Sequence, residues 1–151
     1  MPPRWRRPGF ARLALPAPRW LLMSALGGVA WNLFGAFQFV GAVTATPESL
    51  VASGLTPEQA AVMTGYPVWM TLAFAIGIAG GLVGSVLLYL RRPLSKAALA
   101  ASLVAYVVLW IGDAIHGVFA AMGAPQVVIL TTVVAIAATL LALSYHNAAR
   151  A

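Results

Sequence analysis

Residues 68–96 read VWMTLAFAIGIAGGLVGSVLLYL followed by RRPLSK. Val68 to Leu90 carry no charge, and about 20 apolar residues are enough to cross a bilayer as a helix. Tyr66 and Trp69 flank one end and Tyr89 the other, where amphipathic rings settle at a membrane–water interface. Arg91, Arg92 and Lys96 then follow within a single tight turn. The stretch reads as a transmembrane helix that stops at a basic loop.

Three further apolar runs share this character. Trp20 to Val43 is the first span, Val68 to Leu90 the second, Ala97 to Met122 the third and Val127 to Tyr145 the fourth. Val43 and Ala45 would suit a signal peptidase, but the run before them is longer than the roughly 7–15 apolar residues of a signal-peptide core. It is therefore expected to stay as a span. Across the 151 residues, 62% are hydrophobic and 8% are charged. A soluble domain carries about a quarter charged residues, so lipid is the expected solvent for much of this chain.

The charges are placed as informatively as they are scarce. Arg4, Arg6, Arg7, Arg12 and Arg19 precede the first span, Arg91, Arg92 and Lys96 join the second to the third, and Arg150 follows the fourth. The first and third connections contain no Lys or Arg. With four spans every basic residue lies on one side, which the positive-inside rule makes the cytoplasm. The expectation is an all-α four-transmembrane-helix bundle, N-in and C-in. A net charge of +6 would otherwise suggest nucleic acid, but no basic patch with aromatic platforms supports that partner. The expected partners are the bilayer and, through close helix contacts, a second copy of the chain.

The ends and the one long connection have their own chemistry. Residues 1–19 form a basic, proline-rich tail, with Trp5 and Phe10 available to anionic lipid, and residues 147–151 form a second tail. Arg6 and Arg7 do not make a convincing twin-arginine signal. Between the first two spans, Thr46-Pro47-Glu48 and Thr56-Pro57-Glu58-Gln59 both read as helix starts. Threonine is the N-cap, proline takes the first helical position, and an acid sits at the positive end. Gly54 and Gly65 are expected stops. The first external loop should thus hold two short helices.

Inside the spans, polar residues stand out. Asp113 is the sole carboxylate in a span, and burying it at mid-membrane would cost about 2.5–3.5 kcal/mol. Counting about 1.5 Å per residue from Lys96 places it roughly 25 Å along, in the outer half. His116, three residues on, should share its helical face. Asn32 and Gln38 lie in the first span, with Gln38 at the depth of Asp113. These four residues are the candidate polar or ligand site, either proton-responsive or a handle for a solute. The plainer alternative is structural hydrogen bonding between helices. Gly77, Gly80, Gly81 and Gly84, with Ser24 and Gly28 of the first span, form small-residue stripes that let helices approach closely. Packing of the first span on the second is expected, with homodimerisation through the second span as the alternative.

No phosphate loop, HExxH, GxSxG or CxxC motif is present, and there is no cysteine. No enzyme, cofactor or metal site is expected, since nucleophile, base and orienter cannot be assembled. No internal repeat suggests an inverted-repeat transporter. Trp31-Asn32-Leu33-Phe34-Gly35, Thr46-Pro47-Glu48-Ser49-Leu50, Pro67-Val68-Trp69, Ala73-Phe74-Ala75-Ile76, Gly80-Gly81, Gly84 and Arg91-Arg92 resemble a family of small uncharacterised bacterial four-helix membrane proteins often labelled "sugar transporter". The likeness covers roughly residues 20–102, and Asp113-Ala114-Ile115-His116 departs from the third span it leads one to expect. It implies a bacterial inner membrane protein and a small-solute transporter or transport accessory. The alternative is a non-transporting interaction or envelope protein working through helix contacts.

Overall fold

A computed structural model describes residues 18–149, with side chains through His146. Expectations for Trp5, Phe10, Arg150 and the outer parts of both tails lie outside these residues. The helices are α1 (Arg19–Thr44), α2 (Pro47–Ala52), α3 (Pro57–Thr64), α4 (Val68–Tyr89), α5 (Ser95–Ile115), α6 (Val118–Met122) and α7 (Ala124–Ala149). Four of them, α1, α4, α5 and α7, are long and apolar enough to cross a membrane. At about 1.5 Å per residue each reaches roughly the 30 Å of a hydrocarbon core or more. Large apolar side chains cover the outside: Phe37 is 74% exposed and Val68 76%. Such a surface suits lipid and, with four helices of this length, suggests a multi-pass membrane protein.

Local chemistry explains where the helices begin and end. Pro47 and Pro57 hold the residues before them extended, at ψ 157° for Thr46 and 156° for Thr56. Each threonine Oγ1 then accepts from a backbone N–H three residues on, and Ser49 and Gln59 reach back to the cap backbone. Both are capping boxes. Glu48 and Glu58 lie in the first turns. Backbone hydrogen bonds, followed by the Thr46 and Thr56 hydroxyls, hold their carboxyls below the ordinary value of 4.5. Gly54 leaves α2 in a left-handed conformation, φ +106°. The turn after α4 has the Schellman pattern, with Arg92 N–H donating to the Leu87 carbonyl and Arg91 N–H to that of Leu88. Arg91 takes the left-handed position, φ +56°, that glycine usually fills.

One expected boundary is corrected. Ala97 to Met122 is not a single span, because α5 ends at Ile115 and Gly117 turns left-handed at φ +75°. The chain restarts as α6, which Gln59 fastens to α3 by donating from Nε2 to the Ala121 carbonyl at 3.0 Å. The two short loop helices and α6 thus gather at one end of the bundle, and Arg91, Arg92 and Lys96 lie at the other.

The long helices run up and down in the order α1, α4, α5, α7, and α4 and α5 form the closest pair. Here the glycine stripe divides in a way the first-on-second reading did not foresee. A Cβ on Gly80 would stand 2.9 Å from the Ala98 carbonyl oxygen, one on Gly84 2.6 Å from Leu99, and one on Gly77 2.6 Å from the Tyr106 ring. These three face α5. Gly81 faces α1, where Asn32 rests on it, and Ser85 meets Gly28 of α1. These glycine faces of α4 are filled from within the chain. Ser24 is partly buried between α1 and α7. Ser102 crosses from α5, its Oγ donating to the Gly77 carbonyl at 2.6 Å.

Three apolar clusters stack along the bundle. At the Arg91 end, Leu21 and Ala25 of α1 meet Leu88, Leu99 and Leu140. Ile78, Tyr106 and Ala137 fill the middle, with Ala36 and Phe39 of α1 against them. At the Tyr66 end, Met70, Ala73, Leu109 and Leu130 close the core without α1.

Gly80→Ala should separate α4 from α5, because its Cβ meets backbone that cannot rotate away. We expect a loss of about 1–3 kcal/mol in detergent unfolding. Gly27→Ala, with nothing within 4 Å of its Cβ, should cost less than about 0.5 kcal/mol. Equal effects would contradict the close approach. The lowered Glu48 and Glu58 values mean that ionised carboxylates support α2 and α3 above 4.5, and that support is lost as pH falls through the lowered values. Hydrogen exchange should show protection of α2 and α3 amides declining in that acid window.

Candidate functional site

Asp113 sits two residues before the end of α5 and is 1% exposed. Two donors hold its carboxylate. Tyr66 O–H donates to Oδ1 at 2.8 Å, and Gln126 Nε2 donates to Oδ2 at 2.9 Å. Tyr66 lies on the short link between α3 and α4, next to Pro67, whose extended backbone starts α4. Gln126 lies in the first turn of α7, just after Gly123 turns the chain at φ +72°. Three separate segments therefore converge on one carboxyl group. Among the described residues, no Lys, Arg or His side chain pairs with it, so its electrostatic support is dipolar. Burial pushes the Tyr66 phenol well above its ordinary 10.0, and the Asp113 carboxylate and its hydrogen bond push it further. Tyr66 therefore stays protonated, as a donor must.

His116 does not join this group. It caps α5, is exposed, and sets its ring 5.7 Å from that of Trp69. Its backbone still continues the helix, with the N–H donating to the Gly112 carbonyl, but the imidazole lines a second, shallow cleft with Tyr66, Pro67 and Val118.

Beside Asp113 lies a cavity of about 480 Å³, within the range that takes a drug-sized ligand. Trp31, Phe34, Gln38 and Phe39 of α1 form one wall, and Gln126, Ile129, Leu130 and Val133 of α7 the other. Phe74, Tyr106 and Leu109 form the back, with Asp113 and Tyr66 at one end. The cavity exists because α1 and α7 meet near the Arg91 end, where Gly28 abuts Leu140 and the Trp20 ring lies 5.9 Å from His146. Toward Tyr66 they meet little, and α1 drops out of the core. Gln38 is exposed and lines the same cavity as Asp113, with no hydrogen bond between them.

Asn32 occupies a different place. It is 2% exposed, and its Nδ2 donates to the Gly28 carbonyl at 2.8 Å. Among the described residues its Oδ1 has no hydrogen-bond partner, and neither has Ser85 Oγ. A void of about 10 Å³ adjoins Asn32 and shares Trp31, Tyr106 and Val133 with the large cavity. That is near the size of one water. Asn32 thus belongs to the floor below the site, in the α1–α4 contact.

Tyr66 and Gln126 were not among the sequence candidates. In the sequence Tyr66 reads as an interface marker, and Gln126 falls just before the fourth span. The available signal was that both are polar groups flanking spans at the end where Asp113 lies. No family model, curated relative or solved structure matches this chain.

If Tyr66 supports the carboxylate, Tyr66→Phe should destabilise the protein by about 1–3 kcal/mol. In an Asp113→Asn background the same change should cost clearly less. A double-mutant cycle by detergent unfolding measures this coupling, and strictly additive losses would refute it.

Proposed function

We propose that this is a multi-pass protein of the bacterial inner membrane, with both termini cytoplasmic, which binds a small solute in the cavity beside Asp113 as a transporter or transport accessory. The orientation is supported by the basic residues: Arg19, Arg91, Arg92 and Lys96 lie at one end of the bundle, and the first and third connections contain none. In that orientation the cavity would lie in the outer half. The observation that carries the reading is a buried carboxylate, held by two donors, at the end of a ligand-sized cavity. An acid is costly inside a span and marks a functional site by default. The cavity does not continue to the Arg91 end, where Leu21, Ala25, Leu88, Leu99 and Leu140 close the bundle. Transport would therefore require α1 to move against α7, which it meets mainly at the Arg91 end.

The test is solute counterflow in proteoliposomes with a panel of sugars and other small solutes, alongside Asp113→Asn. We expect saturable flux that falls roughly tenfold or more in the variant, as for loss of a hydrogen bond to a charged group. Flux of wild-type size in a folded Asp113→Asn protein would remove the carboxylate from the mechanism. If no solute moves and crosslinking recovers a stoichiometric protein partner, the non-transporting interaction reading takes its place.

A further inference from the structure

We propose that the cavity is selective for an amphipathic organic monocation, an aromatic or bulky apolar body carrying one positive charge, that slips in from the lipid between α1 and α7. This rests on the reading of the cavity as a solute site and names the chemical class.

The argument begins with charge. Asp113 brings a carboxylate to the cavity, and among the described residues no cationic side chain pairs with it. Tyr66 and Gln126 each fill one lone-pair position on it, which leaves acceptor capacity unused. A bound cation would supply the missing counter-charge. The ligand need not displace either donor, because the field of a carboxylate is weakly screened in so apolar a setting. The walls add a second attraction for the same sign. Trp31, Phe34, Phe39, Phe74 and Tyr106 all line the cavity, and aromatic faces attract cations.

Other classes of ligand fit less well. An anion would face the carboxylate without a basic group to offset it. A sugar would bring many hydroxyls to walls that are largely aromatic and aliphatic, and its unpaired polar atoms would be penalised. A plain acyl chain would gain nothing from Asp113. The way in is also suited to a lipid-soluble ion. α1 leaves the core at the Tyr66 end, so the gap between α1 and α7 faces the membrane there. Amphipathic cations concentrate in that layer.

The experiment is equilibrium binding of radiolabelled tetraphenylphosphonium to the full chain in mild detergent. Radiolabelled tetraphenylborate, nearly the same in shape and opposite in charge, is measured in separate samples, because the two ions pair with each other in solution. Two variants are included. Asp113→Asn removes the charge. Gly35→Phe fills the cavity from a position whose Cβ would lie 3.6 Å from Ile78, an ordinary contact. Folding of each is checked by circular dichroism and gel filtration. We expect saturable binding of the cation, weakened about tenfold or more by either variant, and no saturable binding of tetraphenylborate. If tetraphenylborate binds as tightly as the cation, or folded Asp113→Asn binds the cation like wild type while Gly35→Phe does not, the charge selectivity is overturned and the cavity remains a solute site. If neither ion binds saturably to folded protein, the cation inference fails. The solute site then stands or falls on counterflow of the neutral panel. If Asp113→Asn does not fold, the tetraphenylborate and Gly35→Phe arms still decide.

Discussion

The close approach of α4 to α5 is the constraint on which the rest of this bundle depends. Gly77, Gly80 and Gly84 remove the side chains that would hold the two backbones apart, and Ser102 uses the resulting proximity to donate to the Gly77 carbonyl. In lipid no hydrophobic drive pulls helices together, so van der Waals contact and such hydrogen bonds must do it. Gly81 and Ser85, on another side of α4, receive Asn32 and Gly28 of α1. The central helix is thus sculpted for two neighbours at once, and α7 closes on α5.

That arrangement has a consequence at the opposite wall. α1 is anchored to α4 and touches α7 mainly at the Arg91 end. As the two helices diverge, a space opens between their aromatic and aliphatic side chains. Asp113 stands at its edge because α5 ends there, one turn from Gly117. The carboxylate is tolerated because Tyr66 and Gln126, each placed by a chain reversal, reach it from two other segments. Stability and a candidate binding site therefore draw on the same few contacts. The unpartnered Oδ1 of Asn32 and Oγ of Ser85 lie just below, in the α1–α4 contact that any movement of α1 would have to pass through.

Different parts of this picture were legible from the residues to different degrees. The threonine–proline pairs announced α2 and α3, since caps and proline act over three or four neighbours. Asp113 was conspicuous as an acid in an apolar run. Its partners were not, lying 47 and 13 residues away in sequence. Spacing groups His116 with Asp113; in the structure its ring lies against Trp69 rather than on the carboxyl, whose two donors, Tyr66 and Gln126, could not be read from neighbours in sequence. The glycine stripe was visible, but its division between α1 and α5 was not.

The sequence by itself determined the number and approximate extent of the long helices, the caps of the short ones, and the one-sided basic residues. Each of these follows from terms that sum along a short stretch of chain, such as the transfer of an apolar run or a cap's own hydrogen bond. Only the tertiary structure decided which helix faces each glycine, where α1 parts from α7, and which donors hold Asp113. Those outcomes depend on how closely several helices can approach at once, and steric fit between distant segments has no local signature.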